Sequence, residues 1–297
     1  MGRLRDGRRR EVTQTVTTVA HLREYVRRQK HDRKTIGLVP TMGALHEGHL
    51  SLVRRAASEN ARTIVSIFVN PIQFGPHEDL QKYPRDLARD TELSRSAGAD
   101  VVFAPTAEEV YPEGFSTFVE VEKVTAGLCG ASRPGHFRGV ATVCAKLFAM
   151  AEPDRVYFGE KDYQQLVVIR RMVADLNMPI EVVACPTVRE PDGLALSSRN
   201  AYLDADMRRH ALVLYRSLVE AKRVVEEAHV TRASEITAAM RKVIQTAPAK
   251  IDYIAVVHPE TLEPLDAVTG EAVVALAVFI NKIRLIDNIR VQPKGAT

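Results

Sequence analysis

The stretch IGLVPTMGALHEGHLSL, residues 36–52, decides the fold. Ile36, Leu38 and Val39 make a short apolar run suited to a buried strand. Pro40 lacks the N–H that would continue a ladder, so the strand is expected to close there, and the pattern restarts as a helix from Gly48. Gly43 and Gly48 let the backbone approach a ligand closely. The turn between strand and helix delivers His46 and His49 to the mouth of the helix, where unpaired N–H groups and partial positive charge suit a phosphate.

Two other readings compete for these histidines. A zinc protease needs HExxH, with its ligands four residues apart on one helical face, and HEGH fails that spacing. A helix-capping and packing role accounts for either histidine alone, and the pair following a strand and a Pro-Thr-Met-Gly turn favours phosphate chemistry.

The composition, 297 residues with 45% hydrophobic and 26% charged, suits a full core and two domains. The basic start, MGRLRDGRRR, has no apolar stretch behind it, so it is expected to be neither secretory signal nor membrane anchor, with residues 1–12 a disordered tail. The longest apolar run, 272–280, falls short of the about 20 residues that a spanning helix takes. Cys129, Cys144 and Cys185 show no CxxC spacing, which excludes a sequence-evident zinc or redox pair and fits a reducing cytoplasm. The net charge of +4 sits partly in the tail, and no nucleic-acid or membrane partner is expected from it.

Along the chain, helical spacing over 19–30 leads into the organising strand. Strands are expected at 63–69, 99–104, 117–121, 155–158 and 180–184, with helices at 48–60, 84–97, 140–150 and from Gln165. Strand and helix alternating at these lengths imply right-handed βαβ units and a parallel, Rossmann-like sheet. From Asp204 onward the order changes to two helices, to about 228 and over 233–246, and then strands at 251–257, 272–279 and 283–289. That implies a separate, smaller α+β domain, so the division is expected at 1–186 and 187–297, the second part acting as a lid.

Ligands of open α/β sheets sit at the carboxyl ends of strands. Asn70 and Gln73 follow the second strand, and their amides suit a small molecule with hydroxyl and carboxylate groups, although an Asn-Pro turn with an exposed glutamine fits equally well. The loop LCGASRPG, 128–135, is a candidate lid from which Arg133 and Arg138 could reach an anion. In Gly159-Glu160-Lys161-Asp162, the glycine permits close approach of a nucleotide, the lysine is a point charge for a phosphoryl group and the aspartate can accept from ribose, against the alternative of a salt-bridged surface turn. Ser197-Ser198-Arg199-Asn200 is a dense set of anion donors on a loop.

HxGH resembles the HIGH signature of the nucleotidyl-transferring α/β superfamily, and the SSRN loop resembles its KMSKS element. With PTMGALHEGH, VSIFVNPIQF, SRPGHFRG, FGEKDYQQL and DGLALSSRN in this order, and LIDN near the C-terminus, the chain resembles the pantoate–β-alanine ligases. The resemblance implies ATP-dependent condensation of pantoate with β-alanine through a pantoyl-adenylate, releasing AMP and pyrophosphate, with Mg²⁺ held mainly by ATP phosphates and no protein metal ligands. It implies an ATP-binding turn of Met42, Gly43, Ala44, Leu45, His46, Glu47, Gly48 and His49, with His49 the proton donor and His46 on the phosphates. Gly159, Glu160, Lys161 and Asp162 would bind ribose and phosphate, Val188 the adenine edge, and Leu196, Ser197, Ser198 and Arg199 the phosphates. Gln73 and Gln165 would hold pantoate, Gln73 also lying near β-alanine, and the enzyme would be a homodimer.

Catalysis is then expected from His46, His49 and Lys161, which supply positive charge where a carboxylate attacks a phosphorus, with no protein nucleophile. The rivals are another HIGH-type adenylate-forming enzyme, such as a tRNA synthetase, and a non-catalytic nucleotide sensor. The chain has no Trp and no strongly basic RNA-binding region. A sensor would need neither Lys161 nor both histidines.

Overall fold

Short, nearly continuous apolar strands alternating with amphipathic helices build a six-stranded parallel sheet in the computed structural model, which describes residues 13–293 apart from His77 and Asp79. The expected tail, residues 1–12, lies outside the described residues. The first part of the chain runs β1 (Gln14–Val16), α1 (Val19–His31), β2 (Ile36–Thr41), α2 (Glu47–Glu59), β3 (Arg62–Ile67), α3 (Leu87–Ala97) and β4 (Val101–Phe103). It continues through the short helices α4 (Ala107–Val110) and α5 (Cys129–Ser132) to α6 (His136–Ala151), β5 (Arg155–Gly159), α7 (Tyr163–Asp175) and β6 (Glu181–Cys185).

The strands lie in the order β1-β4-β3-β2-β5-β6, all parallel. From β2 the chain steps through β3 to β4 on one side, then returns to lay β5 and β6 on the other. A crevice therefore opens at the carboxyl ends of β2 and β5, where the winding reverses.

Alternate strand residues serve opposite faces of the sheet. Ile36, Leu38, Ile64, Val156 and Phe158 join a core with α1, α6 and α7. Val39, Val65, Tyr157 and Val183 pack with Leu50, Val53 and Ala56 of α2 and Ala97 of α3. Burial on both faces explains why these strands read as nearly continuous apolar runs.

The remaining chain forms α8 (Ala205–Glu226), α9 (Ala233–Ile244) and an antiparallel sheet of β7 (Ala249–Val257), β8 (Ala272–Ile280) and β9 (Ile283–Val291), in the order β7-β8-β9. Asp204 caps α8 by accepting from the Met207 N–H at 2.8 Å. Along β8, Ala272, Val274, Leu276, Val278 and Ile280 pack with α8 and α9. Val273 and Ala275 turn the other way and join the core of the parallel sheet. The second sheet thereby shares a core with the first, and β9 is brought against the turn after β5.

Three expectations need correcting. Residues 117–121 form no strand; Val119 gives its N–H to Thr142 Oγ1 of α6 at 2.9 Å and Val121 is buried in the main core, so the alternation reflects packing against a helix. β2 continues through Pro40 to Thr41. The Ile36 carbonyl accepts from Asp154, leading into β5, and the Thr41 carbonyl accepts from Phe68 beyond β3, so alternation turns Pro40 toward the β5 side, where the paired register already stops at Leu38. No ladder bond is lost there. Helix α3 begins at Leu87 rather than 84, because Asp86 caps it by accepting from the Arg89 N–H at 3.0 Å.

Candidate active site

At the mouth of α2 the two histidines cap the helix. His46 is the N-cap, and its Nδ1 accepts the Gly48 N–H at 3.2 Å. The Nδ1 of His49, three positions on, accepts the His46 N–H at 3.3 Å, completing a capping box with imidazoles in both roles. The rings lie with centroids 4.1 Å apart. Gly48 is required by this packing, since a Cβ there would sit 2.9 Å from the His46 ring. Capping and phosphate binding are therefore compatible: with each Nδ1 an acceptor, each neutral ring carries its proton on Nε2. Burial, joined by the charge of Lys161, lowers His46 to about 4, and burial with neighbouring His46 lowers His49 to about 3. Both are neutral donors at pH 7.

The preceding turn is held from outside. Asp90, buried in the first turn of α3, accepts the N–H groups of Ala44 at 2.7 Å and Leu45 at 2.9 Å. Gly43 has φ +82°, and a Cβ there would lie 2.9 Å from the Asp90 carboxylate. Met42 and Ala44 are half-buried, Leu45 is buried and Glu47 is exposed and paired with Arg54.

After β3, Asn70 is buried with its amide fully engaged. Its Nδ2 donates to Gln73 Oε1 at 2.9 Å and to the Gly139 carbonyl at 3.1 Å, and its Oδ1 accepts from the Tyr111 hydroxyl at 2.7 Å. Asn70 therefore orients Gln73 and offers no free amide of its own. The Gln73 Nε2 donates only weakly, to Met42 Sδ at 3.2 Å. Its backbone carbonyl accepts from His136 Nδ1 at 2.9 Å, while His136 Nε2 accepts from Arg133 at 2.9 Å and Arg133 pairs with both carboxylate oxygens of Glu78 at 2.6 Å. Burial, with the Arg133 charge beside it, lowers His136 to about 4, which fits its acceptor role toward a guanidinium.

Across the crevice, β5 ends in a 3-10 turn, Glu160–Asp162. The Lys161 Nζ lies 3.7 Å from Asp162. Burial alone would raise the Asp162 carboxyl; the charges of Lys161 and then Arg199 hold it below the usual value. Two neighbours on β9 then secure the loops. Asn288 Nδ2 donates to the Glu160 and Lys161 carbonyls, each at 2.9 Å. Asp287, buried, takes Arg189 in a two-point pair at 2.7 and 3.0 Å, and Arg189 also lies over the Tyr215 ring.

The segment carrying Arg189 folds back on itself. Leu196 donates its N–H to the Val188 carbonyl at 3.0 Å, which brings both residues to one place, and Arg189 bridges Ala195. Ser197 accepts from the Arg199 N–H at 3.3 Å, and Ser198 lies 3.4 Å from the Tyr83 hydroxyl.

A cavity of about 570 Å³ runs between the two sheets and is lined by Lys161, Asp162, Gln165, Ser197 and Arg199 together with Arg133 and His136. That volume suits a nucleotide-sized ligand. His46, His49, Asn70, Gln73, Val188 and Ser198 stand off its lining, and the helix mouth adjoins it at Leu196, between the lining residues Ala195 and Ser197, where a Cβ on Gly48 would lie 3.7 Å from the Leu196 side chain. The Gln165 side chain, unlike that of its buried neighbour Gln164, has no hydrogen-bond partner among the described residues. Sequence reasoning missed Asp90, Asp287 and Asn288 as supports and the linkage of His136 to Gln73. For Asp90 a charged helix face gave no signal; LIDN was visible but carried no assigned role.

A parallel sheet with paired histidines at one helix mouth, a lysine turn at the neighbouring strand end and an SSRN loop beside it defines an adenylate-forming enzyme of the HIGH/KMSKS type. Residues 14–290 match the family model described as Pantoate-beta-alanine ligase. Pantothenate synthetase of Moorella thermoacetica is 55% identical over 273 residues, 92% of this chain and 96% of its own. The crystal structure of pantothenate synthetase from Thermus thermophilus superposes with a TM-score of 0.90 at 52% identity, covering 95% of this chain and all of the other. That of pantoate-beta-alanine ligase from Francisella tularensis, complexed with Beta-gamma ATP and Beta-alanine, gives 0.77 at 36% identity over 93% and 97%. The chain belongs to the pantoate-beta-alanine ligase family. Its reaction is the ATP-dependent condensation of pantoate with β-alanine through a pantoyl-adenylate, an AMP-forming carbon–nitrogen ligation.

Proposed function

We propose that both half-reactions run in the crevice between β2 and β5, and that the pairing of these two strands, which sets the His46–His49 helix mouth and the Glu160–Asp162 turn at neighbouring strand ends, carries this assignment. In the first step the pantoate carboxylate attacks the α-phosphorus of ATP and pyrophosphate leaves. In the second the β-alanine amine attacks the acyl carbon and AMP leaves. The Nε2–H groups of His46 and His49, the positive end of the α2 dipole and the Lys161 ammonium stabilise charge on the phosphates as it shifts toward pyrophosphate. His49 acts in this reading as a neutral hydrogen-bond donor, in keeping with its lowered pKa of about 3.

Residues 42–49 cradle the triphosphate, Gly159, Glu160 and Asp162 take ribose and phosphate, Val188 takes the adenine edge, and Leu196, Ser197, Ser198 and Arg199 close on the phosphates. Gln165 and the Nε2 of Gln73 bind pantoate, with Gln73 also near β-alanine and Asn70 aligning it. Bound with ATP, Mg²⁺ would supply further neutralisation of the phosphates, which in this reading are its main ligands.

The same reading takes residues 187–297 as a lid domain on residues 1–186, supported by the end of the parallel sheet at Cys185. It makes the enzyme a cytoplasmic homodimer with neither nucleic-acid nor membrane partner. Among the described residues no helix is long and apolar enough to cross a membrane. A crystal of the enzyme soaked with a non-hydrolysable ATP analogue and pantoate tests the assignment. The α-phosphate is expected within hydrogen-bonding reach of a histidine Nε2 or Lys161 and the pantoate carboxylate in line with it; phosphates bound elsewhere in the cavity would overturn it.

A further inference from the structure

We infer that Asn288 is a positioning residue for Lys161, so that the C-terminal sheet sets the aim of the charge used in adenylation. The inference rests on the role given to Lys161 above. Lys161 sits in a three-residue 3-10 turn that has little intrinsic rigidity. Its two flanking peptide planes carry the carbonyls of Glu160 and of Lys161 itself, and the single Asn288 Nδ2 donates one N–H to each, both at 2.9 Å. Fixing both planes fixes the direction of the bond from which the lysine side chain springs. Asn288 is 8% exposed, its own N–H is tied to Asp287 Oδ1 at 2.8 Å, and Asp287 is held by Arg189. The support is therefore anchored, and β9 grips Glu160 a second time through Arg290 at 3.3 Å.

The chemistry demands a donor at this point. Two carbonyls converge on one nitrogen, so the near-isosteric Asn288→Asp places a carboxylate against two acceptors, whereas Asn288→Ala only removes the support. Pantoate-dependent exchange of labelled pyrophosphate into ATP, measured on the full-length enzyme, reads the adenylation step alone. Asn288→Ala is expected to lower it by about 10- to 100-fold, the scale of a misplaced catalytic group. Asn288→Asp should fall at least as far, and in a Lys161→Ala background either change should alter the residual rate by no more than about twofold.

A full Asn288→Ala effect persisting in the Lys161→Ala background would overturn the inference, as would an Asn288→Asp enzyme of wild-type rate. Normal exchange by Lys161→Ala alone would instead remove Lys161 from the mechanism, a separate failure. If Asn288→Asp does not fold, Asn288→Ser, which keeps a donor, takes its place: partial recovery relative to Asn288→Ala supports the positioning role, and equal loss contradicts it.

Discussion

The Nδ1 of His49 accepts the backbone N–H of His46 at 3.3 Å, so the two imidazoles at the mouth of α2 are locked in one tautomer by the helix they begin. Protonating either Nδ1 would break a cap as well as bury a charge. His46 and His49 fall to about 4 and about 3, mainly through burial, and His136 to about 4 for the same reason. An unfolded histidine titrates near about 6.5. Between pH about 6.5 and about 3 the unfolded chain therefore binds protons that the folded chain refuses, and stability must fall as pH is lowered through that window, reaching its full value only above it. Thermal melts from pH 7.5 to 4.5 should show this decline, and histidine NMR titrations of the unliganded enzyme should show His46 and His49 still neutral at pH 5.5. Ordinary titration of both near pH 6.5 would contradict the capping account.

Gly48→Ala tests the same cap sterically. The new Cβ would lie 2.9 Å from the His46 ring, so the imidazole must move. Adenylation should drop by about 10- to 100-fold. Alanine suits a first helical turn, so the melting temperature should change little. A Gly48→Ala enzyme with wild-type kinetics would show that His46 need not stay where the helix puts it.

Gln73→Ala and Gln165→Ala should raise the KM for pantoate far more than that for ATP, by about 5- to 150-fold if each leaves a substrate hydroxyl or carboxylate without its partner. Because Asn70 commits its amide to Gln73 and Gly139, Asn70→Ala should follow the Gln73→Ala pattern. Steady-state kinetics against each substrate decide this, and equal effects on both would refute the assignment.

Much of the parallel sheet was legible, because strands buried on both faces leave apolar runs that punctuation by Pro and Gly makes visible. β1 was not: its three residues, Gln14 to Val16, carry too short a pattern. The alternation at 117–121 misled because packing against α6 imposes the same period as a sheet face. At the site, HxGH, Lys161 and SSRN were legible as charge and turn chemistry. Asp90 and Asn288 were not, since a residue that serves backbone groups 46 or 127 positions away leaves no local signature.

In the proposed mechanism the crevice activates pantoate as an adenylate before the amine is needed. Enzyme, Mg²⁺, ATP and pantoate, without β-alanine, should exchange labelled pyrophosphate into ATP, and exchange should vanish when pantoate is omitted. A γ-phosphoryl mechanism would call for a Walker-type GxxxxGK[ST] loop, which the sequence lacks. Stoichiometric ADP, with no pantoate-dependent exchange, would contradict the account and with it the roles of His49, Lys161 and residues 197–199.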